Sequence, residues 1–79
     1  MKMYLISDNV DTLTGMRLAG VEGVVVHEKH ELANALDFVI KSKDIGIVLL
    51  TEKFSKDYPE LVNKYKRESH IPLFIDIPD

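Results

Sequence analysis

Ile45-Gly46-Ile47-Val48-Leu49-Leu50 is the stretch that decides the fold. It is a continuous apolar run rich in β-branched residues, and it does not alternate with polar positions as a half-solvated strand would. Such a run fits a strand covered on both faces, the pattern of a parallel sheet sandwiched between helices. Three shorter runs share its character: Tyr4-Leu5-Ile6, Val24-Val25-Val26 and Ile71-Pro72-Leu73-Phe74-Ile75.

Segments with helical spacing lie between these runs. Leu32, Leu36, Val39 and Ile40 follow the i, i+4, i+7, i+8 pattern and predict a helix from about residue 30 to 41. Tyr58, Leu61, Val62 and Tyr65 predict another from about 58 to 68, with Asp57 as its cap, Pro59 in its first turn and Glu60 at capping-box spacing. The segment after the first run is less regular. Val10, Leu13, Arg17 and Leu18 fall near one helical face, and Asp8 or Asp11 is expected to cap this helix. Gly15 costs such a short helix about 1 kcal/mol relative to alanine, and Gly20 is a natural terminator. Phe54 is expected to tuck a short turn after the third strand against the core.

The order is therefore β-α-β-α-β-α-β. Every connection is long enough for a right-handed crossover between parallel strands. The expected architecture is an α/β three-layer sandwich with a four-stranded parallel sheet, in the flavodoxin-like order 2-1-3-4, with helices on both faces. Seventy-nine residues suffice for a single globular domain, residues 1–79. Its folded surface is expected at roughly 4,900 Å².

Composition removes several classes of function. With no cysteine, disulfides, thiolate metal sites and cysteine nucleophiles are excluded. Ten basic against 13 acidic residues give a net charge of −3 without a basic run, which argues against nucleic-acid or anionic-membrane binding. No apolar stretch approaches the roughly 20 residues of a membrane span, and the N-terminus lacks the pattern of a signal peptide. A cytoplasmic location is expected.

In this sheet class, ligands bind beyond the carboxyl ends of the strands. That edge is expected to carry Ser7, Asp8, Asn9 and Asp11, then Glu28, Thr51, Glu52 and Asp76. A phosphate loop needs clustered glycines at a helix start, but Ser7-Asp8-Asn9-Val10-Asp11 has none, and no Gly-Lys-Ser/Thr occurs. A small Mg²⁺-dependent receiver-like signalling domain is the alternative reading, with Asp8 and Asp11 near the ion. Its chemistry requires an aspartate nucleophile at the end of the third strand, where Leu50-Thr51 stands. His27 and His30 have zinc-ligand spacing, but one ends a strand and the other starts a helix, without a third ligand in view. His70 reads as a loop residue. No nucleophile–base–orienter set is present, so no catalytic, cofactor or metal residue is assigned. Met16 and Phe38 lie off their helices' apolar stripes and are candidates for a partner contact.

The run from Ile6 to Gly20, Ile6-Ser7-Asp8-Asn9-Val10-Asp11-Thr12-Leu13-Thr14-Gly15-Met16-Arg17-Leu18-Ala19-Gly20, resembles the opening of the F subunit of V-type and A-type rotary ATPases. Asp44 to Glu52 is similar to that family's Asp-led third strand, and His70 to Pro78 to its closing strand between two Ile-Pro pairs. The resemblance implies a noncatalytic central-stalk component without a cofactor of its own. It implies docking to the long coiled-coil D subunit and coupling of ATP turnover to H⁺ or Na⁺ transport, at the membrane periphery. The family pattern continues into a linker and a C-terminal helix, whereas this sequence stops at Asp79, so the expectation is the globular domain alone. Ser7 stands where the family often has Gly, and Met16 where it often has Phe. The expected partner interface draws on Asp8, Asn9, Asp11, Met16 and Phe38.

Overall fold

The computed structural model describes residues 1–68 and 71–78; the loop reading of His70 lies outside them. The elements run β1 (Lys2–Ser7), α1 (Val10–Leu18), β2 (Glu22–Val25), α2 (Lys29–Lys41), β3 (Ile45–Thr51), α3 (Glu52–Asp57), α4 (Pro59–Glu68) and β4 (Leu73–Ile77). All strand pairs are parallel and the sheet order is β2-β1-β3-β4. The expected α/β sandwich of order 2-1-3-4 is the one observed. The surface area is 5015 Å², close to the figure expected for a well-packed chain of this mass.

β3 is central and is buried at every position except half-buried Ile47. Strand side chains alternate between faces, so the sheet separates two apolar clusters. One face brings Ile6, Val48 and Leu50 against Leu32, Leu36 and Val39 of α2, Phe54 of α3, and Val62 and Tyr65 of α4. The other face is smaller: Leu5 and Leu49 pack with Leu13 of α1, joined by half-buried Met16, Val21, Val25, Ile47 and Ile77.

The stripes expected for α2 and α4 are the faces they bury. Three local expectations are corrected. α1 turns Leu13 and Met16 to the sheet, while Val10 and Leu18 are 63% and 87% exposed. With a single fully buried residue, α1 has little amphipathic pattern to read. Its cap is Asn9, whose Oδ1 accepts from the N–H groups of Asp11 (2.8 Å) and Thr12 (3.3 Å), so neither Asp8 nor Asp11 takes that role. Asp57, expected to cap the last helix, ends α3, a true short helix; α4 follows with Pro59 as its first residue.

Gly23 of β2 is approached closely by both the adjoining strand β1 and α1. A Cβ built there would sit 2.5 Å from the Leu5 carbonyl oxygen and 3.1 Å from Leu13 Cδ1, so the close packing of α1 on the sheet requires glycine. Gly20, at φ +87°, closes α1 in the left-handed conformation that glycine adopts without a Cβ penalty.

Candidate functional site

The carboxyl edge of the sheet gathers Ser7 at the end of β1 with Asp8 and Asn9 beyond it, Thr51 at the end of β3 with Glu52 starting α3, and Asp76 near the end of β4. Its polar groups are occupied by architecture. Ser7, 1% exposed, accepts the Asn9 N–H at its Oγ (3.1 Å). Thr51, 2% exposed, donates its hydroxyl to the Ile6 carbonyl (3.4 Å). This bond stitches β3 to β1 where a receiver would hold its nucleophile.

Three carboxylates of the rim, Asp8, Glu52 and Asp76, each face a lysine, whereas Asp11 and Glu28 are exposed at the starts of α1 and α2. Asp8 Oδ2 lies 3.5 Å from Lys53 Nζ, Glu52 Oε1 3.8 Å from Lys56 Nζ, and Asp76 Oδ1 3.4 Å from Lys66 Nζ. Asp76 also accepts the Ser55 hydroxyl at 2.9 Å. The Glu52–Lys56 pair is legible as i, i+4 spacing on a helix. Lys53 and Lys66 carry no such signal in sequence, because only the crossover topology sets Lys53 beside Asp8 and α4 beside the end of β4.

The histidine motif resolves into a helix start. Glu31 Oε1 accepts the N–H groups of both His27 and Glu28 at 2.9 Å. These two bonds hold the Glu31 carboxyl below the usual carboxylate range, with the nearby imidazoles of His30 and His27 adding smaller effects. Among the described residues, no three His, Asp or Glu side chains are grouped to hold a metal ion.

The residues expected at a partner interface fall in separate places. Asp8, Asn9 and Asp11 sit at the start of α1, and Met16 lies further along that helix, half-buried over the smaller cluster. Phe38, 52% exposed, is on the opposite face of the sheet, where its ring meets Tyr4 with centroids 5.4 Å apart. Burial raises the Tyr4 phenol above its ordinary value, with a smaller push from the Glu22 carboxylate. One flat surface therefore cannot take up all five.

A different apolar surface emerges only in the fold. Met3, Leu73 and Ile75 are 43%, 60% and 40% exposed, and the strand register places them on the α1 side of the sheet. The apolar run from Ile71 to Ile75 predicts a strand covered on both faces. β4 instead begins two residues later and lacks cover on this one.

No helix among the described residues is long and apolar enough to cross a membrane. The F subunit of the A-type ATP synthase of Methanothermobacter thermautotrophicus is 36% identical over 70 residues, covering 87% of this chain. The chain spans 65% of that relative's length. The equivalent A-type protein of Pyrococcus abyssi is 32% identical over 84 residues, covering 100% of this chain and 76% of the relative. Among solved structures, the V-type ATP synthase F subunit of Archaeoglobus fulgidus has the same fold, with a TM-score of 0.76 at 24% identity over 96% of this chain and 95% of that one. The family model described as ATP synthase (F/14-kDa) subunit matches residues 3–79, nearly the whole chain, and the chain belongs to that family.

Proposed function

We propose that this chain is the globular domain of a noncatalytic central-stalk component in a V/A-type rotary ATP synthase. It works by docking onto the coiled-coil D subunit and turning with it, which couples ATP turnover to ion transport. The chain then sits at the membrane periphery through the complex, without inserting into the bilayer.

The observation that supports this most is the rim. At the edge where this fold class holds ligands, Asp8, Glu52 and Asp76 are each paired with a lysine, and Ser7 and Thr51 bond to the backbone. A rim so satisfied serves architecture, which leaves surface contact as the way the domain acts. Of the expected contact residues, Asp8 and Asn9 are engaged by Lys53 and by the α1 cap, Asp11 and Met16 lie on α1 and fit this contact, and Phe38 would serve a second one on the other face.

Assembly tests the reading. The catalytic head and the D subunit are assembled with and without the chain, and native mass spectrometry reads the composition. Incorporation of one copy per stalk, dependent on the coiled-coil partner, is expected. A chain that stays free while head and stalk assemble would overturn the reading.

A further inference from the structure

The sheet is one helix short on its α1 side. Four strands about 4.8 Å apart span roughly 14 Å between their outer axes and about 19 Å with the strands' own width, which is the width of two helices about 10 Å across. The opposite face has such cover from α2 and α4, with Phe54 of α3 between sheet and solvent. On the α1 side, α1 packs on β2 and β1. Exposure rises steadily away from it along one row of paired residues: Leu5 0%, Leu49 9%, Ile75 40%. In the neighbouring row, Met3, Ile47 and Leu73 are in register, and the outer two are 43% and 60% exposed.

The strip is apolar throughout its length. The one charged residue of β4, Asp76, points to the other face, where Ser55 and Lys66 hold it. An occupant must therefore present an apolar stripe. Its size also selects the occupant. Met3, Leu73 and Ile75 together offer a patch on the order of 300 Å², well short of the roughly 800 Å² per partner of a stable protein–protein interface. A second copy of this chain laid face to face would not be held by it. One amphipathic helix, anchored elsewhere by the rest of its own protein, fits both width and area.

We propose that this strip, running from Met3 of β1 across β3 to β4, is the seat of one α-helix of the stalk partner, lying beside α1 with its apolar stripe on Met3, Ile47, Leu73 and Ile75. This rests on the docking reading above and specifies the face used. Helix-to-sheet packing then completes in the complex the third layer that the isolated domain leaves half built, and Met16, in the same cluster as Ile47 and Ile77, borders the seat.

Two measurements test it. In the first, methyl-labelled chain is titrated with its cognate D subunit. The methyl signals of Met3, Leu73 and Ile75 are expected to shift or broaden, with that of exposed Leu18 unmoved; binding that perturbs only α2 and the Phe38 face overturns the seat. In the second, the double substitution Leu73→Thr with Ile75→Thr, which keeps β propensity, is expected to weaken binding at least tenfold, while Leu18→Ser, at a residue 87% exposed, leaves it unchanged. Binding by the folded double variant as tight as the original chain overturns the seat and leaves the docking reading standing. Failure of the unaltered chain to bind the coiled-coil partner overturns both.

Discussion

The Tyr65 hydroxyl donates a hydrogen bond to Asp37 Oδ1, tying α4 to α2 across 28 residues of chain. The bond raises the phenol to about 12 from its ordinary 10.0, through the hydrogen bond first, then burial and the nearby Asp37 and Glu68 carboxylates. Tyr65 is 7% exposed, so this contact closes the larger core at its rim.

Removing the hydroxyl by Tyr65→Phe leaves the Asp37 carboxylate without its donor. A loss of about 1.5–3 kcal/mol is expected for a hydrogen bond to a charged acceptor, read by urea denaturation at neutral pH. The pH dependence has a fixed sign. The fold holds the neutral phenol, so this contribution is whole below pH 10 and declines as pH rises from 10 to about 12. Tyr65→Phe should lack that part of the alkaline decline; an identical decline in both proteins would contradict the assignment.

Gly23→Ala and Gly46→Ala are expected to differ sharply. At Gly23 the new Cβ would meet the Leu5 carbonyl oxygen at 2.5 Å and Leu5 Cβ at 2.7 Å, both parts of the adjoining strand. A cost of about 1–3 kcal/mol follows from overpacking that site. At Gly46 the obstruction is the Met1 side chain, which is 94% exposed and free to swing away. Thermal melts of the two variants give the comparison, and a Gly46→Ala loss as large as that of Gly23→Ala would refute it.

Asn9→Ala should cost about 1 kcal/mol, the usual worth of a side-chain cap. Asp8→Ala should cost less, since its ion pair with Lys53 is largely exposed on the lysine side. Denaturant midpoints rank the two, and the reverse order would show that Asp8 carries more of the α1 start than its geometry allows.

The parallel sheet is legible because its runs are apolar without alternation, and α2 and α4 because each buries a wide stripe on a neighbour. α1 is not, since a nine-residue helix with Leu13 alone fully buried leaves almost no period. Asp8, Asn9 and Asp11 are all competent caps by residue type, and backbone placement decides among them. The Asp8–Lys53 pair joins the segments that follow two neighbouring strands, the turn after β1 and α3, and depends on topology. Phe38 stands off its stripe in sequence and is half exposed in the fold. Leu73 and Ile75 look covered in sequence because apolar composition says that a strand face seeks cover, without saying which chain provides it.

If the acidic rim is architecture, Mg²⁺ with beryllofluoride should leave the melting temperature unchanged. Receiver-like chemistry at Asp8 and Asp11 would instead raise it, because binding to the folded state alone stabilises it by mass action. A clear upward shift, abolished by Asp8→Asn, would restore the signalling reading.

Calorimetric titration of the purified chain with its cognate D subunit addresses the central claim most directly. Saturable one-to-one binding with a Kd of about 1 μM or tighter, worth roughly 8 kcal/mol, is the predicted result. An absence of binding to this stalk partner at concentrations a hundredfold higher would contradict it.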